Sequence, residues 1–332
     1  MKPTFTYQDI SLVPRSLSKI QSRNKIDLSV SVTSDFQFKL PILPAPMDTI
    51  SSVEMCRAFA QNGMLGMIHR FQPEKSRLQE FQELHAEGLR AIIAVGLDEM
   101  EIISKFYDLG AKWFIVDVAN GFNNSVEPIV KKVLQFSDTF VICGNVASKE
   151  GFRYLAELGV HAIRVGIGNG SMCTTTLMTG VGQGIVTALQ ECLETKDSLG
   201  LKSLIIADGG ITNIGDIPKA LGLGADLVMM GRIFAGTKEA AGNVLKYDGK
   251  LYKAYRGSAS FAVQRKSKNN PVYIEGEETI VQYKGSVQNI FYQIEAGLRS
   301  AFSYMGARDI KSFQNNASFV QYRLDPKDFQ SK

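Results

Sequence analysis

Residues Gly166 to Gly182 read GIGNGSMCTTTLMTGVG, a cysteine set among glycines and hydroxyls directly after an apolar run. A nucleophilic cysteine needs groups that stabilise its thiolate and hand protons to a leaving group, and the loop amides with Ser171, Thr174, Thr175 and Thr176 around Cys173 are of that kind. The other cysteines, Cys56, Cys143 and Cys192, sit inside helix- or strand-like runs, where a thiol behaves as a small inert hydrophobe. Four dispersed cysteines without a C-x-x-C pair do not make a disulfide framework. With only His69, His85 and His161 in the chain, histidine-rich metal centres and multi-histidine acid–base schemes are poorly served. From Gly168 the loop reads like a G-x-G-x-x dinucleotide fingerprint, but Cys173 stands where the third glycine belongs and no acidic ribose ligand follows at the expected distance.

A second group of chemically pointed residues leaves the ends of other apolar runs: Asp48, Asp117 with Asn120, Asn145, Asp208 and Gly231. Taken singly, a carboxylate in such a place caps the next helix, and a glycine serves a tight turn. Together they predict one functional rim. The runs ending ADGGIT, with Gly210, and MMGRIF, with Gly231, expose backbone N–H groups of the kind that hold a phosphate.

Positioning these residues requires a repeating scaffold. Apolar runs recur at PILPAPM, MLGMIH, RAIIAVG, KWFIVDV, TFVICGNV, HAIRVGI, SLIIADGG and ADLVMMG, with continuous hydrophobicity that suits parallel strands buried on both faces. Between them, SSVEMCRAFAQNG, SVEPIVKKVLQFS and GDIPKALGLG carry helical spacing with Ser or Asp starts and Gly or Ser stops. Eight such units predict an α/β fold, a (β/α)8 TIM barrel with an extended cysteine loop after strand 6 and a flap, Tyr255 to Tyr283, after strand 8. A doubly wound open sheet is the rival, since periodicity does not show closure.

The 332 residues suit one barrel domain over 1–332, and 45% apolar content supplies its core. Thirty-seven basic and 33 acidic residues, net +4, are scattered without like-charge blocks, so nothing marks a nucleic-acid surface. No apolar run approaches a membrane span and the amino terminus lacks a cleavable leader pattern, so a soluble cytoplasmic protein is expected.

Several segments carry a resemblance: YQDISLVPRSLSKIQSR, PMDT, MIHRF, DVANG, ICGNVAS, the GxGSxCTT loop, IADGGI, YKGSVQNI and GLRSAFSYMGA. On these the chain resembles the IMP dehydrogenase/GMP reductase family over nearly its whole length. DVANG at Asp117 to Gly121, the absence of a CBS insertion after MIHRFQPE, and a short flap without an Arg-Tyr pair look like the reductase branch.

The resemblance implies that Cys173 attacks C2 of the purine of GMP, ammonia departs, and NADPH delivers hydride to release IMP. It implies Thr175 and Glu275 as the pair handling the leaving-group proton. Ser171, Gly210 and Gly231 match the phosphate site, Asp208 the ribose carboxylate, and Met47, Ser258 and Gly276 further substrate contacts. Asp117, Asn120, Gly166 and Gly168 match the cofactor side. A K+ held by the backbone of Gly168, Gly170 and Cys173, and a homotetramer, are implied in the same way.

The chain also departs from the family pattern. Thr176 stands where the family often has Arg, and Arg70 where many members have Lys. No arginine precedes Glu275 in NPVYIEG, which leaves Arg265, Lys266 or Lys268 for cofactor phosphate contacts. Two other readings stay open: an IMP dehydrogenase without CBS domains, and a non-catalytic purine-nucleotide-binding protein.

Overall fold

Eight short strands are almost wholly buried: β1 (Ile42–Pro44), β2 (Gly66–Ile68), β3 (Ala91–Val95), β4 (Trp113–Asp117), β5 (Phe140–Val146), β6 (Ala162–Val165), β7 (Leu204–Asp208) and β8 (Leu227–Met230). They belong to a computed structural model that describes residues 2–15, 17–257 and 276–321. Burial on both faces is what their unbroken apolar sequences require. Every pairing is parallel, in the order β1-β8-β7-β6-β5-β4-β3-β2, and β1 and β2 touch across the remaining seam. The sheet is a nearly closed barrel, so the open doubly wound alternative is discarded.

Eight helices separate and follow the strands: α1 (Val53–Gln61), α2 (Glu74–Ala86), α3 (Met100–Asp108), α4 (Val126–Leu134), α5 (Lys149–Glu157), α6 (Ile185–Leu199), α7 (Asp216–Gly222) and α8 (Val287–Tyr304). Three start on serine side chains that accept otherwise unpaired first-turn amides: Ser52 from Met55, Ser148 from Gly151 and Ser286 from Gln288. Gly66 lets α1 lie close on β2, since a Cβ there would stand 2.5 Å from Cys56 Cα.

Three additions decorate the barrel. A hairpin, Val30–Thr33 with Phe36–Phe38, reaches the amino end of the strands, where Phe36 meets Trp113 edge to face at 5.4 Å. Ile10–Leu12 pairs antiparallel with Phe319–Gln321. After β8, Leu245–Tyr247, Lys250–Arg256 and Glu278–Gln282 form a three-stranded antiparallel sheet, so the excursion read as a flap has ordered strands at its base.

Candidate active site

The carboxyl ends of the strands open on a cavity of about 390 Å³. Of the residues singled out from sequence, Met47, Asp117, Gly166, Gly168, Gly170, Ser171, Cys173, Thr175, Asp208, Gly210 and Gly231 line it. Asn120 does not: its side-chain Oδ1 accepts the Phe122 amide at 3.0 Å in an exposed turn. Ser258 and Glu275, like Arg265, Lys266 and Lys268, lie outside the described residues. None of the three histidines lines the cavity, and His161 Nδ1 instead accepts the Val141 amide.

Cys173 sits on the loop after β6, partly exposed, and its thiol donates to Thr175 Oγ1 at 3.1 Å. The loop folds back through the Cys173 amide, which donates to the Gly170 carbonyl at 3.0 Å. Its glycines are needed for space as well as conformation. Gly168 has φ +85°, and a Cβ there would stand 2.1 Å from Thr176 Oγ1. Gly166, at φ +140°, would bring a Cβ to 2.0 Å from the Asp208 carbonyl. The remaining thiols are buried, and desolvation pushes each of them up, Cys143 to about 12 and Cys56 and Cys192 further. Cys173 is the one cysteine of the chain that is not buried.

The cysteine loop is stitched to the sheet beyond β8. Cys173 bridges Gly276 antiparallel, the Glu277 amide donates to the Met172 carbonyl at 3.1 Å, and the Gly257 amide donates to the Glu277 carbonyl at 3.0 Å. Arg256 anchors the same strands to the barrel, holding both oxygens of Asp48 through Nε at 3.1 and 3.0 Å and Glu278 through Nη1 at 2.9 Å. Arg256 was not foreseen, because its partners are about 200 residues away or beyond the flap.

In the cavity wall lies an ion network that sequence reasoning also missed. Arg164, on β6, is buried and donates to Asp117 Oδ1 at 2.6 Å and to Asp208 Oδ2 at 2.8 and 3.2 Å. Asn145 donates to the same Asp208 oxygen at 2.7 Å, and Arg70 donates to Asp117 Oδ2 at 3.3 Å. Burial alone disfavours the Arg164 cation, but Asp208 and Asp117 outweigh it and raise its pKa. Burial would raise the Asp117 carboxyl too, yet Arg164 and Arg70 hold it below its ordinary value. The signal was present in HAIRVGI: a lone arginine inside a buried strand must be paired. Its cross-strand partner is Gly144, where a Cβ would stand 2.4 Å from Arg164 Cβ.

Against the cysteine loop, Gly209 and Gly210 turn at φ +89° and +77°, and a Cβ on Gly209 would stand 2.9 Å from the Gly170 amide. Gly231 has no room for a side chain either, with Met47 Sδ at 2.9 Å and Tyr255 Oη at 3.0 Å from its Cβ position. The Tyr255 hydroxyl shares a 3.1 Å hydrogen bond with Ser171. Burial raises its pKa, so the phenol keeps its proton. Ser171, Gly210, Gly231 and Tyr255 thus surround one polar pocket of hydroxyls and turn amides, suited to an oxyanion.

The comparisons with known proteins agree in one direction. Residues 4–324 match the family model described as IMP dehydrogenase / GMP reductase domain. The GMP reductase of Clostridium acetobutylicum is 37% identical, covering 95% of this chain and 94% of the relative. That of Lactobacillus delbrueckii subsp. bulgaricus is 39% identical over 93% and 92%, and that of Bacillus subtilis 36% over 95% of each. With a barrel whose cysteine loop, glycine turns and paired carboxylates meet at one rim, and with relatives of this identity over nearly their full length, the chain belongs to the IMP dehydrogenase/GMP reductase family.

Proposed function

We propose that the protein is an NADPH-dependent GMP reductase, converting GMP to IMP and ammonia through a covalent adduct on Cys173. The observation that carries the reading is the partly exposed Cys173 thiol, hydrogen-bonded to Thr175, in the same cavity as an oxyanion pocket. Full-length relatives named GMP reductase support the same branch.

Sulfur adds to purine C2, and the C2–N bond breaks once the amino group has been protonated. An amine leaves as ammonia far more readily than as an amide ion, so a proton must reach it. Thr175 and Glu275 supply that proton, the hydroxyl relaying from the carboxylic acid. When bound, the nicotinamide supplies the hydride that replaces sulfur at C2, and the thiolate is released. GMP, NADPH and one proton give IMP, NADP+ and ammonia.

Ser171, Gly210 and Gly231, with Tyr255, hold the 5′-phosphate. Asp208, fixed by Arg164 and Asn145, accepts the ribose hydroxyls, while Met47, Ser258 and Gly276 complete the nucleotide contacts. Asp117, Gly166 and Gly168 hold the cofactor, with Asn120 shaping the outer turn. The fit rests on Asp117, Arg70 and Phe71, a carboxylate, a cation and a ring that line the same cavity as the nucleotide contacts. Carbonyls of Gly168, Gly170 and Cys173 are hard oxygen donors suited to K+, and Gly170 keeps one lone pair besides the one that accepts the Cys173 amide. A cytoplasmic homotetramer completes the reading.

The test is a cofactor-oxidation assay with GMP and NADPH beside one with IMP and NAD. Ammonia and IMP from the first confirm the reading. NADH from the second, with no GMP reduction, makes the protein an IMP dehydrogenase, and silence in both makes it a binding protein.

A further inference from the structure

We infer that Lys284, outside the cavity, is the positioning residue that aims the turn after β8 at the nucleotide phosphate; this rests on the phosphate assignment above. The turn begins at Gly231, whose carbonyl accepts the amides of Phe234 and Ala235 at 3.0 Å each, so residues 231–235 make one helical turn. At the start of such a turn the first N–H groups have no partner within it. Gly231 and Arg232, which carry those groups, line the cavity. At the opposite end the carbonyls of Arg232 and Ile233 are orphaned in the same way. The Lys284 ammonium takes both, at 3.1 and 3.0 Å.

Each carbonyl shares its planar peptide with the next residue's N–H, opposed to it. Holding the Arg232 carbonyl outward on a fixed cation therefore turns inward the Ile233 N–H, the last of the turn's first amides without a partner inside it, and fixing the far end of so short a turn fixes its start. A positive charge at the carbonyl end of a turn is also the favourable end for its dipole.

Lys284 is itself fixed. Its amide donates to the Gly236 carbonyl at 2.8 Å, the Lys238 amide donates to the Gly285 carbonyl at 2.7 Å, and Thr237 bridges Gly285 in parallel. Gly236, at φ +82°, has no space for a Cβ, which would stand 2.4 Å from the Gln282 carbonyl. The ammonium is therefore delivered by a rigid crossing of two chain segments, with burial and the neighbouring Arg232 both disfavouring its charge. Lys284 is exposed over part of its side chain, yet its ammonium is committed to two carbonyls instead of water.

The experiment compares the full-length protein with Lys284→Met and Lys284→Arg, measuring binding of GMP, guanosine and inorganic phosphate by calorimetry, and kcat and KM for GMP. Removal of a charge-assisted contact from the turn should weaken GMP and inorganic phosphate by about 10-fold or more in Lys284→Met. Guanosine should bind as it does to the unaltered protein. The loss should appear in KM, and Lys284→Arg should recover part of it, since it keeps the charge.

Equal weakening of GMP and guanosine, or GMP affinity unchanged in a folded Lys284→Met, overturns the inference. Should Lys284→Met fail to fold, the ratio of GMP to guanosine affinity in Lys284→Arg decides: unchanged from the unaltered protein, it overturns the inference, and reduced, it supports it. Failure of the phosphate assignment shows separately, as equal binding of GMP and guanosine by the unaltered protein.

Discussion

Arg164 grips one oxygen of Asp208 with two guanidinium N–H groups, Nη2 at 2.8 Å and Nε at 3.2 Å, while its remaining terminal nitrogen takes Asp117 at 2.6 Å. One buried cation thus fixes two carboxylates that lead to opposite halves of the proposed site. Removing Arg164 leaves Asp117 to Arg70 and Asp208 to Asn145, each a carboxylate stripped of its closest cation. Arg164→Met should therefore cost about 3–5 kcal/mol, the range for breaking a buried pair, and chemical denaturation should show it.

The same network gives a pH dependence with a definite sign. Asp117 is held below its ordinary pKa by Arg164 and Arg70 against the opposing effect of burial. A carboxyl depressed in the folded state contributes stability that is complete above its unfolded pKa, about 3.9, and is lost as pH falls through the folded value. Stability should thus hold from neutrality to about pH 4 and decline below it as far as this group is concerned. In Arg70→Met, with one cation gone, the carboxyl is less depressed, so the stability lost on acidification should be smaller, read by chemical denaturation at neutral and at low pH.

Cysteine labelling should be nearly exclusive. Cys143, pushed up to about 12, and the still higher Cys56 and Cys192 hold almost no thiolate near neutrality and are buried. Iodoacetamide at mild alkaline pH should modify Cys173 alone, read by peptide mass spectrometry, and GMP should protect it. Rapid modification of any other cysteine in the folded protein would count against the assignment.

Substitutions separate the covalent from the proton-handling role. Cys173→Ala should abolish turnover and leave GMP binding largely intact, because the ribose contact and every proposed phosphate contact but Ser171 lie on other segments. Glu275→Gln keeps shape without a proton and should slow ammonia release by roughly 10²- to 10⁴-fold, with hydride transfer less affected. Equal slowing of both steps in single-turnover measurements would assign Glu275 a structural role.

Gly166→Ala should be among the most damaging small changes in the chain. Its φ of +140° disfavours any side chain, and the added carbon would meet the Asp208 carbonyl at 2.0 Å. A loss of at least about 1–3 kcal/mol is expected from strained backbone alone, visible as a lowered melting temperature and a displaced Asp208.

The barrel was legible because parallel strands buried on both faces leave unbroken apolar runs, and all eight runs became strands. The sheet beyond β8 was not. In KLYKAYR the buried inward positions are Lys253 and Tyr255, and the Lys253 ammonium is satisfied by the carbonyls of Thr237, Lys238 and Ala240. A lysine used as an interior hydrogen-bond donor reverses the usual reading of strand faces. Cys173, Thr175, Asp208 and the glycine turns were visible in local sequence because their surroundings are local. Arg164, Arg256 and Tyr255 were hidden because each acts through residues distant in the chain, and residue type alone does not reveal a partner.

The backbone bridge between Cys173 and Gly276 joins the nucleophile's loop to the far end of the excursion that starts at Gly257, and Gly257 itself is bonded to Glu277. Whatever lies between Gly257 and Gly276 is thereby closed at its root, like a bight of rope lashed at the neck. Doubling the length of a closed loop adds only about 0.6 kcal/mol of closure entropy. Evolution or an engineer can thus change the length of that bight while the lashing keeps sulfur in place, provided Ser258 and Glu275 stay for the steps assigned to them, so new contacts can be tried on the adduct without rebuilding the loop that makes it.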